Sequence, residues 1–203
     1  MTTKMVDLLT EEELEIIRAD LRDILEDEQY SVKILYRRLV SQSVNLSTGV
    51  PTKVIVDTEI RAVTGSLSIR EVANSGGLLQ VGDVFFLFDP AKLPAYPEGD
   101  DQILQEVVDC GHLRLVQNSA AVVGYNTTFQ QVGVQGGDVL MVGSTVKPIA
   151  NVTSDTALAL KSNWTAATEQ ATEFRIFRVY EIVQQIIDPL TAACRINARR
   201  AGS

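Results

Sequence analysis

The chain has 203 residues, 45% of them apolar, and a net charge of −8. That much apolar matter suits one large core or two small ones and excludes a disordered chain. The acidic balance argues against a general nucleic-acid binder, which needs a basic excess to hold phosphates, though an acidic channel wall would let DNA pass without sticking.

The first 15 residues lack the apolar core of a signal peptide, and no run approaches the ~18 apolar residues of a membrane span, so a product of the cytoplasm with no membrane partner is expected. Residues 10–28 predict the one long helix. Thr10 is placed to cap its first turn with Glu13 reaching back, and Glu11 and Glu12 suit the positive end of the helix dipole. Leu14, Ile17, Leu21, Ile24 and Leu25 recur at three- and four-residue spacing, forming an apolar stripe that must dock on the same subunit or on a neighbour.

From Ser31 the period becomes two, as far as Val40. Residues 41–52 read as a polar loop with Gly49 and Pro51. Val54, Val56, Thr58, Ile60 and Ala62 then mark the buried face of an antiparallel strand. Residues 64–75 read as a connector with a short strand around Leu67 and Ile69. Next comes the Gly82-Asp83 turn and the run Val84, Phe85, Phe86, Leu87 and Phe88, whose two faces must both be covered because each such side chain gains roughly 1.5–3 kcal/mol on burial. Pro90, Pro94 and Pro97 break the ladder, and residues 93–101 read as an exposed loop. Residues 104–109 and 112–117 read as a hairpin turning at Asp109, Cys110 and Gly111.

The opening of the apolar run is echoed at Gly137-Asp138, which marks a second module. There, residues 127–134, 139–142, 149–152 and 156–160 read as short extended segments, with Asp155 shaping a turn and Trp164 packing over the end of the core. Residues 173–187 form the longest extended run, long enough to re-enter the first module. Asp188-Pro189 turns the chain into a last strand with Cys194, Ile196 and Ala198 inward. The expected fold is mainly β: a small antiparallel β-barrel from residues 30–117 and 179–203, an acidic amphipathic helix over residues 1–29, and a second small β module, inserted, over residues 118–178.

Catalytic chemistry finds little footing. His112 is the only histidine and sits in a turn beside Cys110 and Asp109, where an ordinary turn residue is the expectation. Three Cys and His residues in all exclude a four-ligand zinc site within one subunit. Cys110 and Cys194 are expected as small core residues. Glu98, Asp100 and Asp101 lack the spacing of a calcium loop and read as solvated. Gly76-Gly77 and Gly136-Gly137 lead into strands rather than into the helix a phosphate loop requires. No catalytic, cofactor-binding or metal-ligating residue is assigned, and a non-enzymatic protein is expected. Arg37, Arg38, Arg175, Arg178, Arg195, Arg199 and Arg200 either line a solvated sheet face or meet the acidic surface of a neighbouring copy.

Ile34-Leu35-Tyr36-Arg37-Arg38, the Gly49-Val50-Pro51-Thr52 loop, the strand through Asp57-Thr58-Glu59, and the run ending at Asp89 together resemble the head-closure, or stopper, proteins of tailed-phage necks. Residues 125–142 and 151–164 are similar to a small β module of phage neck, tail and baseplate proteins. The resemblance implies a virion β-barrel protein in a ring, usually of six copies, with the portal or adaptor above and the tail terminator or tail tube below. Packaged DNA would pass through without specific binding, and residues 41–52 or 89–101 would narrow the channel. The second module and the acidic helix exceed a minimal stopper and leave collar and tail-completion roles open. A different class, a carbohydrate- or other ligand-binding module of a tail appendage or baseplate, would use Trp164 and Tyr125 as stacking platforms.

Overall fold

The computed structural model describes residues 10–44, 51–107, 110–171, 173–187 and 193–202. The chain forms two compact units, one of Met1–Ile103 with Glu181–Arg199 and one of Leu104–Tyr180 with Arg200–Ser203.

Helix α1 (Glu11–Glu26) begins as its sequence requires: Thr10 and Glu13 form a reciprocal capping box, and three glutamates fill the first turn. Its inward residues are Leu14 and Leu25, whereas Ile17 and Ile24 are exposed, so only part of the predicted stripe is covered by the described residues. Among the described residues twelve strands follow: β1 (Val32–Val44), β2 (Pro51–Ser66), β3 (Val84–Phe88), β4 (Gln102–Val107), β5 (His112–Leu115), β6 (Ala121–Tyr125), β7 (Val139–Val142), β8 (Thr145–Ser154), β9 (Ala157–Leu160), β10 (Glu169–Ala171), β11 (Arg175–Ile187) and β12 (Cys194–Arg200).

Six of these close an antiparallel barrel in the order β11-β12-β3-β2-β1-β4, with β4 pairing back to β11. The ladders place Ile34 across from Ile60, Thr64 across from Phe86, and Ile196 across from Phe86 on the other side. Residues directly opposite share a face, so Ile34, Tyr36, Ile60, Ala62, Phe86, Phe88, Cys194, Ile196 and Ala198 form one buried interior. The inward alternation expected of the last strand is therefore present; the Asp188-Pro189 turn before it lies outside the described residues.

The outer face of the phenylalanine run is half-buried, and an element absent from the sequence reading holds the side chain that lies over it. Residues Ile69–Asn74 form a short helix, α2, where a strand around Leu67 and Ile69 was expected. Ser68 caps it and Glu71 closes the box, a local pattern of the same kind as at α1, and it outweighs the short apolar alternation. Glu71 then accepts a 2.6 Å hydrogen bond from Arg195. The Arg195 guanidinium lies 4.7 Å from the centroid of the Phe85 ring. Across the ladder from that ring, a Cβ added at Gly65 would come within 2.7 Å of it. Gly65→Ala is expected to cost about 1–3 kcal/mol through overpacking, read as a lowered urea midpoint without loss of the native fold.

In the second unit β5 pairs with β6 and β10, not with β4. The hairpin expected across residues 104–117 does not form, because β4 is taken up by the barrel instead. The segment 127–134 makes turns rather than a strand, with Val132 N–H donating to Thr128 O and Val134 N–H to Phe129 O. Asp155 organises it: one carboxylate oxygen accepts from the backbone N–H groups of Gln130 at 2.8 Å and Gln131 at 3.1 Å. Trp164, Phe129, Leu113, Leu115, Leu140, Ile149 and Ile176 belong to one fully buried core.

The echo between the two glycine-aspartate turns is structural as well as sequential. Gly82 and Gly137 both lie at positive φ, +100° and +96°, which a side chain would strain. Asp83 accepts from the Gln80 N–H at 2.8 Å, and Asp138 from the Gln135 N–H at 2.9 Å. Each aspartate is then gripped by an arginine: Arg199 donates to both oxygens of Asp83 at 2.9 Å and to Leu78 O at 3.1 Å. Arg200 donates to Asp138 at 3.3 and 2.6 Å and to Gly133 O at 2.7 Å. The same turn and the same clamp thus occur once in each unit.

Candidate functional site

One group of exposed apolar side chains in the first unit lies on the outer half of the β1–β2 ribbon. The two strands stay paired from Val32 opposite Ala62 to Val44 opposite Pro51, with a bulge between Leu39 and Ser41. Residues 41–44 and 51–52 of the expected loop are therefore ladder, and its central residues 45–50 lie outside the described residues. β3 flanks β2 only from Val63 to Ser66. Val40 is 55% exposed, Val54 49%, Ile55 46% and Val56 42%. The period-two pattern correctly marked a strand here, but Val54 and Val56 are not on a buried face, since the described residues supply no layer over this end of the ribbon.

The second loop expected near a channel, residues 89–101, is anchored rather than exposed throughout. Asp89 caps a 3-10 turn at Pro90–Lys92 by accepting from the Ala91 N–H. Leu93 and Pro97 are buried. Asp101 is only 2% exposed; it accepts 2.6 Å from the Tyr36 hydroxyl, 2.9 Å from the Glu98 N–H and 3.3 Å from the Leu39 N–H. Burial, and after it the Asp101 carboxylate, holds the Tyr36 hydroxyl well above the usual phenol range, so it stays a donor. Glu98 is engaged by Arg38. The solvated acidic loop of the sequence reading is thus a partly buried strap, and among the described residues no cluster of three or more Cys, His, Asp or Glu is placed to hold a metal ion. Beside it, Pro94, Tyr96 and Ile187 line a groove together with Arg22 and Asp89.

The arginines do not form an unpaired basic face. Arg37 binds Asp57 through two 2.8 Å bonds, and Arg175 binds Glu106 at 2.8 and 2.7 Å. Arg38, Arg195, Arg199 and Arg200 hold Glu98, Glu71, Asp83 and Asp138. Arg178 donates to Val132 O at 2.6 Å. Guanidinium groups match carboxylates in a planar fork, and strands, turns, the 89–101 strap and helix α2 supply the match inside each unit. Attraction between a basic sheet of one copy and the acidic helix of the next loses its basis on these residues. Glu71 illustrates the strength of the local partners: the backbone N–H and hydroxyl of Ser68, with Arg195 after them, hold its carboxyl down at about 2.

No protein-family model matches the chain, and no curated protein does.

The residues weighed for chemistry fall apart in space or in role. His112 stacks on Tyr125 with ring centroids 4.8 Å apart and planes 12° from parallel, as cross-strand partners in β5 and β6. Trp164 is 1% exposed, with its indole N–H donating to Ala167 O at 3.3 Å, so it offers no face to a sugar. The stacking pair required by the ligand-binding reading is therefore absent. The cysteines differ: Cys194 lies in the barrel interior as expected, whereas Cys110 is exposed and its thiol reaches Asn126 O at 3.3 Å. Burial pushes the Cys194 thiol up to about 11. A maleimide reagent at neutral pH is expected to label one thiol per native chain and two in denaturant; two rapid labels in the native state would contradict the burial of Cys194.

Proposed function

We propose that this chain is a structural, non-enzymatic protein of a tailed-phage neck. It acts as a ring component between the portal or adaptor and the tail, closing the head and giving DNA a passage. The observation that carries this reading is a closed six-stranded barrel from which a long two-stranded arm continues, its outer half bearing Val40, Val54, Ile55 and Val56 in solvent. Exposed apolar side chains on a sheet element mark an assembly surface. A ring of six, as the resemblance implies, closes through a head-to-tail contact, for which this surface would be one of the two complementary faces that each copy supplies. Of the two candidate channel elements, the 89–101 strap is tied through Asp101 to Tyr36, which supports the 41–52 segment as the one that narrows the channel.

A reconstruction of the virion tests the reading directly. Six copies at the neck are expected; this chain in tail fibres or baseplate, with none in the neck, would overturn it. Particles lacking the protein are expected to package DNA and then lose it.

A further inference from the structure

The second unit draws its pieces from two separated stretches of sequence. Its body is Leu104–Tyr180, and the rest is Arg200–Ser203, of which residues 200–202 are described. Arg200, the last residue of β12, holds the buried Asp138 carboxylate and the Gly133 carbonyl. The Ala201 N–H donates to Val179 O at 2.8 Å. The backbone itself also fits closely: a Cβ added at Gly137 would come within 2.4 Å of Ala201 O, and one added at Gly202 within 2.7 Å of Gly136 O. Main chain thus lies directly on main chain, an approach that glycine permits and a side chain would block. The turn covered in this way runs between Val134 and Leu140, which share one buried core with Trp164.

The echoed turn in the first unit carries no such cover among the described residues. Gly82 has nearly the φ of Gly137, and the aspartate after it is gripped by Arg199 as Asp138 is by Arg200. A Cβ added at Gly82, however, would meet nothing within 4 Å, and Val81 beside it is 84% exposed. Turn, aspartate and arginine therefore suffice for the motif itself. The close seat at Gly136-Gly137 is an addition to it, and the end of the chain takes that seat.

We propose that residues 200–202 are a latch that closes the second unit, whose core reaches full stability only when the end of the chain seats on the Gly136-Gly137 turn. In residues 104–180 alone, the buried Asp138 carboxylate lacks its arginine and Val179 O lacks the Ala201 N–H. Buried polar groups left unmatched in this way are costly. The latch does not rest on the neck reading, and either can fail alone.

The test compares Gly137→Ala with Gly82→Ala in the full chain, by urea titration followed through Trp164 emission. Both substitutions put a methyl group at a positive φ, so backbone strain is common to the two, and only Gly137→Ala also pushes Ala201 off the turn. The expected urea midpoint of Gly137→Ala lies about 1 M or more below that of Gly82→Ala. A chain ending at Arg199 completes a double-mutant cycle. Its Trp164 midpoint should fall below that of the full chain, and adding Gly137→Ala to it should cost less than the same change costs the full chain, because the atom it would strike is gone. Gly82→Ala should cost the same in both chains. Equal midpoints for the two full-length glycine variants would overturn the latch, and so would a shortened chain with the full chain's midpoint or strict additivity of Gly137→Ala with the shortening. Should the shortened chain fail to fold, the two full-length variants decide the matter by themselves.

Discussion

Asp138→Ala is expected to cost about 3–5 kcal/mol of stability, because it strips the carboxylate from an arginine that the fold has already desolvated. The Asp138 side chain is fully buried and that of Arg200 is 19% exposed, so water cannot replace the lost partner. The same substitution also frees the Gln135 N–H at the turn. Asp83→Ala in the first unit should cost less, since Arg199 keeps 30% exposure and can be resolvated. Urea titration of the two variants side by side checks the order, and an Asp138→Ala midpoint equal to that of the native chain would refute the clamp.

The Asp83 clamp also has a pH signature. Arg199, and after it the Gln80 N–H, draw the Asp83 carboxyl below its ordinary value of 3.8 against the opposing effect of burial. A carboxyl depressed in the folded state contributes stability that is whole above 3.8 and is lost as pH falls through the lower folded value. Native Asp83 should therefore add acid sensitivity below about pH 4 that Asp83→Asn lacks. Comparing urea midpoints at neutral pH and near pH 3 reads the difference.

Trp164→Ala is the second large effect, about 3–5 kcal/mol, because the indole is the largest side chain among the fully buried ones and its loss leaves a cavity in a packed core. Trp164 is the only tryptophan, so its emission in the native chain also reports the unfolding of the second unit. The expected native emission is blue-shifted, moving red in a single transition with urea. A red, readily quenched native spectrum would contradict its burial.

These outcomes separate what local sequence carries from what it does not. The capping box at Thr10 and Glu13, the strand Val139–Val142 and the inward alternation of Cys194, Ile196 and Ala198 were readable because each depends on residues a few positions apart. Helix α2 is as local, but the apolar pair Leu67 and Ile69 mimics a strand and masks the Ser68 and Glu71 cap in the sequence. The pairing of β5 with β6 and β10, and the short β10 itself, carried no signal of comparable strength. Pairing compares candidate partners across the chain, and an adjacent strand is only the commonest answer.

The run Val84–Phe88 shows the division best. Its composition alone required that both faces be covered, since apolar side chains alternate to both sides of a strand. Which groups cover the outer face was a tertiary decision. Arg195, brought alongside by β12 and held by Glu71 of α2, lies over Phe85, while Gly65 leaves room for the ring on β2. The arginines follow the same rule. Their number and strand positions were legible from sequence, but whether they faced a neighbouring copy or a carboxylate of their own unit depended on cross-strand register and long-range contact, as in Arg199 with Asp83, 116 positions away. Sequence fixes what each side chain needs, and only the closed sheet determines which distant group satisfies it.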